Sequence, residues 1–428
     1  MRYVLDLLYL FAGLAYSPVI IYRAIRHGRY RTGWAERFGS ISRKSPEKKC
    51  IWLHAVSVGE VNAAKTIIKE LEARFIDFEI VISTTTDTGF ARAASLFSKD
   101  HQVFYFPFDF SWAIRRAFRR IQPAICLLME LEVWPNFVDT AKRLNVPVVV
   151  VNGRISDRSF PKYKRVKLLV RHIFRKVNLV LAQTDEYAQR FREIGAGNVI
   201  VTSSLKYDTA QITDKVQGAD ALAAQLNISN ERIWVAGGTG PGEEQIILDV
   251  FKHLKQSGQL EEMRVVIVPR KPERFDEVAE IIKSAGFDFL RYSSIKNTEV
   301  KCKQKPLVIL GDTMGDLRKF YCLANVIFVG RSLVPMGGSD MIEAAALGKY
   351  TIFGPHTFNF RQTVEVLLAG NGAIVVNDAD ELLKAIQKCF LEPDYAHEIA
   401  RNGQNVIKKN QGATFRTIEQ IAKLLNKT

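Results

Sequence analysis

Two places in this chain put carboxylates where an apolar run gives way to a turn. His54-Ala55-Val56-Ser57-Val58-Gly59-Glu60 joins the run at residues 50–54 to a helical pattern that begins near Gly59. A turn of small residues opening a helix presents backbone N–H groups to an anion or carries a carboxylate into a ligand crevice. Glu60 reads equally as such a carboxylate or as a first-turn glutamate that offsets the helix dipole. In Met129-Glu130-Leu131-Glu132-Val133-Trp134-Pro135-Asn136, six apolar residues end abruptly in Glu130 and Glu132. Paired acids at a buried strand end are costly unless something uses or satisfies them. The two would share a face if the strand ran on, one serving chemistry and the other capping or pairing with arginine. Pro135 is a helix-start signal.

The second half carries glycines and cations instead. Gly237-Gly238-Thr239-Gly240-Pro241-Gly242-Glu243-Glu244 follows a strand and opens a helix; it reads as a close backbone approach to phosphate or as a tight connection. Pro269-Arg270 ends the next apolar run and aims a bidentate donor outward. Met314-Gly315-Asp316 follows, and then Gly337-Gly338-Ser339-Asp340-Met341-Ile342-Glu343. Glu343, six residues after Gly337, is placed to accept from a nucleotide ribose or to compensate a helix dipole. Residues 154–176 hold nine Lys and Arg against the lone acid Asp157, interleaved with Phe160, Tyr163, Leu168, Leu169, Ile173 and Phe174. That pattern predicts an amphipathic basic helix for an anionic membrane surface or lipid phosphate, the plainer alternative being a solvated charged face.

The elements that must position these residues alternate. Apolar, β-branched runs at 50–54, 78–84, 101–106, 124–129, 146–152, 178–183 and 198–204 are separated by amphipathic stretches, which is the pattern of parallel βαβ units. A polar segment from about 208 to 230 interrupts the rhythm. It resumes at 232–238, 263–269, 306–311, 325–330, 349–354 and 372–377, and residues 380–391 and 395–427 are helical by periodicity. Two Rossmann-like halves follow, and open sheets of this kind bind ligands at the carboxyl ends of their strands.

A chain of 428 residues exceeds what one core fills. Cys50, Cys126, Cys302, Cys322 and Cys389 stand singly, without CxxC or HxxxH, so neither a zinc site nor a disulfide framework is expected and a reducing compartment is. The net charge of +15 is uneven: residues 1–210 carry 33 Lys and Arg against 19 Asp and Glu, while the remainder is nearly balanced at 27 against 26. The first half therefore meets something anionic. No RNP motif, zinc finger or basic heptad accompanies the charge, which turns the reading from nucleic acid to membrane. Residues 3–22 hold one charge, Asp6, and are followed by Arg23, Arg26, Arg29 and Arg31. Twenty apolar residues match a hydrocarbon core about 30 Å thick, with the basic flank cytoplasmic. Asp6 and Pro18 favour the alternative, a helix lying on the surface; a signal peptide is disfavoured by the length of the run and the lack of an A-x-A site.

Taken together the motifs resemble the Kdo transferases, inverting enzymes that move 3-deoxy-D-manno-octulosonic acid (Kdo) from CMP-Kdo to lipid A precursors. The resemblance rests on residues 52–60 (WLHAVSVGE), 129–136 (MELEVWPN), 152–160 (NGRISDRSF), 204–208 (SLKYD), 268–275 (VPRKPERF), 310–316 (LGDTMGD) and 354–360 (GPHTFNF). It implies the GT-B architecture: two Rossmann-like domains with a cleft between them, behind an N-terminal membrane helix. The anchor would occupy 1–30, the acceptor-binding domain 31–210 and the CMP-sugar-binding domain 211–428. By resemblance Glu60 is the catalytic base, Glu130 and Lys206 stabilise the transition state, and Pro269, Arg270, Met314, Gly315, Asp316, Asp340, Met341, Ile342 and Glu343 hold CMP. The family's Asn-Pro-Leu-Glu is Asp340-Met341-Ile342-Glu343 here, so its glutamate alone is retained. A helix N-terminus beside Glu60 would keep it ionised and weaken it as a base. No metal and no resident cofactor is implied, CMP-Kdo being a substrate. The partners implied are CMP-Kdo, a lipid A precursor and an anionic membrane surface, with no nucleic acid. The location implied is the cell inner membrane, the catalytic domains being cytoplasmic and the anchor single-pass or monotopic. A different membrane-associated GT-B transferase, using a UDP-sugar and a lipid acceptor, would share the anchor, the lobes and the basic face.

Overall fold

Runs rich in Val and Ile, each followed by a helix that crosses back, have one stable arrangement: a parallel sheet covered on both faces. The computed structural model describes residues 2–27, 32–258, 260, 262–296, 298 and 305–426. Arg29, Arg31 and Cys302, named above, and the last residue of the 395–427 segment lie outside them, as does the side chain of Arg23. The chain divides into two units, Met1–Thr209 with Gln411–Thr428 and Ala210–Asn410.

The first unit contains β1 (Lys49–His54), β2 (Phe78–Thr84), β3 (Gln102–Tyr105), β4 (Pro123–Met129), β5 (Val148–Gly153), β6 (Leu179–Ala182) and β7 (Val199–Val201). Their order is β3-β2-β1-β4-β5-β6-β7, every pair parallel. Alternation along β1 sends Cys50 and Trp52 to one face and Ile51 and Leu53 to the other, as a period of two requires. Trp52 packs among Phe104, Phe106, Phe118 and Phe137.

The second unit contains β8 (Ile233–Thr239), β9 (Arg264–Pro269), β10 (Phe289–Arg291), β11 (Val308–Leu310), β12 (Val326–Val329), β13 (Tyr350–Phe353) and β14 (Ile374–Val375). The order is β10-β11-β9-β8-β12-β13-β14, again parallel. The edge strand β10 has no counterpart in the sequence reading. It is short, half-buried and flanked by Asp288, so it lacks the apolar run that marks a buried strand.

Three further differences have physical causes. The basic stretch 154–176 is not one helix but two, Phe160–Arg165 and Lys167–Phe174, broken at Val166. The polar interval 208–230 holds the helix Ala219–Gln225. The final segment is likewise two helices, Pro393–Asn410 and Ala413–Leu425, separated at Gly412, whose φ of 90° continues no helix. The last helix returns to the first unit, whereas the sequence reading assigned everything after 210 to the second. Asp208 accepts from Gly412 N–H at 2.7 Å and from Thr414 N–H. Thr414 and Thr66 share a hydrogen bond of 2.9 Å, and Ala413, Ile418 and Ile421 complete the first unit's core.

Residues Arg2–His27 form the N-terminal helix. Among the described residues no helix is long and apolar enough to cross a membrane, so the expected spanning anchor is not met by it.

Candidate active site

In the first unit β1 and β4 are neighbours although β2 and β3 intervene in the chain. The connections leaving their carboxyl ends therefore diverge, and such a switch point is where open α/β sheets bind their ligands. Glu60 follows β1 and Glu130 follows β4. Ser57 caps the helix Val58–Arg74, its Oγ accepting from Glu60 N–H at 3.4 Å. The Glu60 carboxylate reaches back to accept from Val56 N–H and Ser57 Oγ, both at 2.9 Å. This reciprocal arrangement is a capping box, legible as Ser57-x-x-Glu60. Glu60 is only 9% exposed. Burial pushes its carboxyl up, the Val56 N–H opposes, and the carboxylates of Glu130 and Glu132 push further, to about 7. The expectation of a weakened base is thus reversed, because burial and like charge outweigh the helix terminus.

β4 stops at Met129. Glu130 turns into the left-handed region at φ 54°, and its N–H is held by Val151 O at 2.9 Å. That backbone costs a non-glycine residue about 1 kcal/mol, and the turn prevents Glu130 and Glu132 from sharing a strand face. Glu132 accepts from the Trp134 indole at 3.1 Å, and burial raises its carboxyl. Pro135 opens the helix Pro135–Arg143 as its position suggested. Lys206 opens the short helix Lys206–Thr209. The turn before it is held by Asn152, whose Oδ1 accepts from Leu205 N–H at 3.1 Å. Asn152 Nδ2 is buried without a partner among the described residues. This holding role was not foreseen; the Asn-Gly pair at the end of β5 was its signal.

The second unit has its own switch point, between β8 and β12. A Cβ on Gly237 would lie 2.4 Å from the Tyr321 ring, so glycine is required there by packing. The turn that follows is tied to the loop after β12 through Glu243. Glu243 is fully buried and accepts from the N–H groups of Gly240, Ser332 and Leu333 at 3.0, 2.8 and 3.0 Å, and from that of Arg331. Of the turn's own donors Gly240 N–H is thus engaged within the protein, while Arg331, Ser332 and Leu333 belong to the loop after β12.

Pro269 ends β9, and Arg270 N–H binds Thr239 O at 3.0 Å. The Arg270 side chain is exposed and makes no hydrogen bond or ion pair among the described residues. Near it, lost hydration and Asp340 push Glu343 up, while Arg318 and Arg270 hold it down. Arg318, absent from the sequence reading, is fixed by Gln211 through two bonds of 2.8 Å. Met314 is exposed, and Gly315 has a φ of 89° with open space beside it. Asp316 accepts from Lys296 and Thr313 at 2.6 Å and from Lys319 at 2.8 Å. Burial works against its ionisation, but these donors bring it down to about 2; both oxygens serve the loop. Met341 and Ile342 are core residues, and Asp340 caps Ile342 N–H at 2.9 Å. That stretch thus offers a ligand Asp340, Glu343 and backbone, not the two apolar side chains.

Residues 32–209 match the family described as 3-deoxy-D-manno-octulosonic-acid transferase (kdotransferase). The chain is 31% identical over 408 residues to the 3-deoxy-D-manno-octulosonic acid transferase of Haemophilus influenzae, covering 94% of each protein. It belongs to the Kdo transferase family. The family member of Bordetella pertussis is also 31% identical, over 393 residues and 90% of each chain. A glycosyltransferase of Rickettsia africae, at 15% identity, shares the fold with a TM-score of 0.58 over 89% of this chain and 99% of its own. Two parallel-sheet α/β units of this kind are those of GT-B glycosyltransferases.

As a Kdo transferase, the chain is a glycosyltransferase. Its first unit supplies a carboxyl poised near neutrality, the tuning that general-base chemistry needs. Its second unit supplies an uncommitted guanidinium beside a carboxylate, a pairing suited to holding a phosphate and a hydroxyl.

Proposed function

We propose that this Kdo transferase moves Kdo from CMP-Kdo to the lipid A precursor lipid IVA, with inversion, in lipopolysaccharide core assembly. The observation that carries the mechanism is Glu60, set at the β1–β4 switch point with its carboxyl raised to about 7. The acceptor hydroxyl gives its proton to Glu60 as its oxygen attacks the ketosidic carbon, and the bond from that carbon to the CMP phosphate oxygen breaks with its electron pair on CMP. Glu130 and Lys206 stabilise charge in the transition state. Pro269, Arg270, Met314, Gly315, Asp316, Asp340, Met341, Ile342 and Glu343 make up the donor region, with Arg270 on the phosphate, Glu343 on the ribose, and Asp316, Met341 and Ile342 acting through the backbone they fix. The first unit, which takes in most of the 31–210 expected for it, then forms the acceptor-binding part, and the second unit the CMP-sugar part. No resident cofactor or metal enters this scheme.

The membrane side of the reading is supported by the excess of basic residues in the first half and by the apolar residues exposed along the N-terminal helix. It places the catalytic units on the cytoplasmic face of the inner membrane, with that helix lying on the surface. The test is transfer from freshly made CMP-Kdo to tetraacylated lipid A precursor by detergent-solubilised protein, read by mass spectrometry. A product heavier by one or more Kdo units is expected. No product beside an active reference enzyme, with inhibition of donor binding by UDP rather than CMP, would instead indicate a UDP-sugar donor.

A further inference from the structure

The N-terminal helix docks on the first unit through polar contacts at its start. Asp6, the single acid of that helix, accepts from Ser111 N–H at 2.8 Å, from Ser111 Oγ at 2.5 Å and from Asn136 Nδ2 at 3.1 Å. Tyr9 donates to Asp109 at 3.1 Å, and Asp109 accepts from Asn136 and Phe137 N–H at the start of the helix Pro135–Arg143. The charge that looked foreign to an apolar helix is its docking group. Leu7, Leu8, Phe11 and Leu14 stay 53–61% exposed. A helix whose polar side is bound to protein and whose apolar side faces outward has the form of one lying in a membrane interface.

Two cavities open at this docking point. One, of about 490 Å³, is lined by Trp112, Arg115, Arg119, Asn136, Asp139 and Arg143, among others. The second, of about 450 Å³, shares Asn136, Asp139 and Arg143 and adds Tyr3 and Leu5 of the N-terminal helix together with Lys176. Among their described lining residues, four cations (Arg115, Arg119, Arg143, Lys176) face one carboxylate, Asp139, which pairs with Arg143 and Lys176. Arg115 uses its Nε on Ser111 O at 2.9 Å, which leaves its terminal N–H groups for a ligand. Arg119 makes no hydrogen bond or ion pair among the described residues. Trp112, 46% exposed, stacks on Phe38 and Phe110; an indole at that level suits the membrane–water boundary.

We propose that these cavities hold the headgroup of an anionic glycerophospholipid, its phosphodiester between Arg115 and Arg119 and its acyl chains along the exposed side of the N-terminal helix. Guanidinium forks match phosphate oxygens, and the cavity charge complements an anionic lipid over a zwitterionic one. The lipid is a fixed membrane neighbour rather than the acceptor. The inference rests on the surface-lying placement given under the proposed function.

The test uses full-length protein stripped of lipid, offered phosphatidylcholine vesicles with or without phosphatidylglycerol. Phosphatidylglycerol is expected to strengthen binding of the wild type. The pair Arg115→Gln and Arg119→Gln should lose about tenfold or more of that binding, while Arg116→Gln and Arg120→Gln, the same charge on the same helix outside the cavities, should lose less than about threefold. Equal losses would mean diffuse attraction and overturn the site. Inorganic phosphate is expected not to compete; competition would mark a free-anion site and overturn the lipid assignment. Transfer to detergent-dispersed acceptor should be unchanged in the Arg115/Arg119 pair; its loss would assign these arginines to the acceptor's phosphates and also overturn the proposal. If the wild type shows no Kdo transfer at all, the proposed reaction fails while the vesicle result stands by itself.

Discussion

Glu60 serves two roles with one carboxylate. It closes the capping box that starts the helix Val58–Arg74 and, by the reading above, takes the acceptor proton. Glutamine keeps an acceptor for the cap but cannot take a proton, so Glu60→Gln should fold normally and lose about a hundredfold or more in kcat. In the wild type the base must be ionised, so kcat/KM should fall as pH drops through about 7. The linkage has a definite sign. A carboxyl raised from 4.5 to about 7 on folding binds its proton more tightly in the folded state, so its contribution is most favourable below the unfolded value. That contribution is lost as pH rises through the window between the two values. Glu60→Gln should therefore melt above the wild type at about pH 8 and no higher at about pH 4; a lower Tm at both would show that the cap, not the charge, dominates. Arg270 makes no ion pair within the described residues, so its loss strands no partner. Arg270→Ala should raise the KM for the donor by about tenfold or more while leaving Tm within about 1 kcal/mol equivalent of the wild type, measured by initial rates and thermal melting.

At the scale of elements, caps and turns decide what hydrophobic periodicity leaves open. The strands could be read from β-branched runs because burial on both faces demands them. The backbone at the strand ends could not, since the left-handed turns at Glu130, φ 54°, and Asn152, φ 56°, go with bonds to other segments, Glu130 N–H to Val151 O and Leu205 N–H to Asn152 Oδ1. The basic stretch 154–176 has helical periodicity but breaks at Val166, as local periodicity does not register where packing changes direction. The N-terminal helix is held by the capping-type bonds of Asp6. Asp6→Ala should weaken its docking by about 1–2 kcal/mol, detectable as faster protease cleavage of the helix Arg2–His27 with transfer in detergent retained. Unchanged cleavage would mean that Tyr9 and apolar contacts suffice.

At the scale of the molecule, the chain ends in the unit where it began. Asp208, Thr66, Arg74 and Thr202 tie the helix Ala413–Leu425 to the first unit, and Ile418 and Ile421 are fully buried there. Each buried isoleucine contributes about 1.5–3 kcal/mol. Removing residues 411–428 should therefore destabilise the first unit and spare the second. In hydrogen exchange, β1 and β5 are expected to lose protection while β8 and β12 keep theirs; an equal loss in both would tie the helix to the whole molecule instead.

The amino-acid sequence alone determined the two parallel-sheet units, the strand-end motifs and the family, because apolar runs, turn residues and motif spacing are local properties. The tertiary structure alone decided the rest. It raised Glu60 instead of lowering it, because burial and two neighbouring carboxylates from a distant loop outweigh a helix terminus in its own segment. It engaged Asp316 and Glu243 in holding loops, turned Asp6 into a docking group, and returned the last helix to the first unit. Each of these depends on which groups meet across the fold, and a pattern read along the chain carries no record of such meetings.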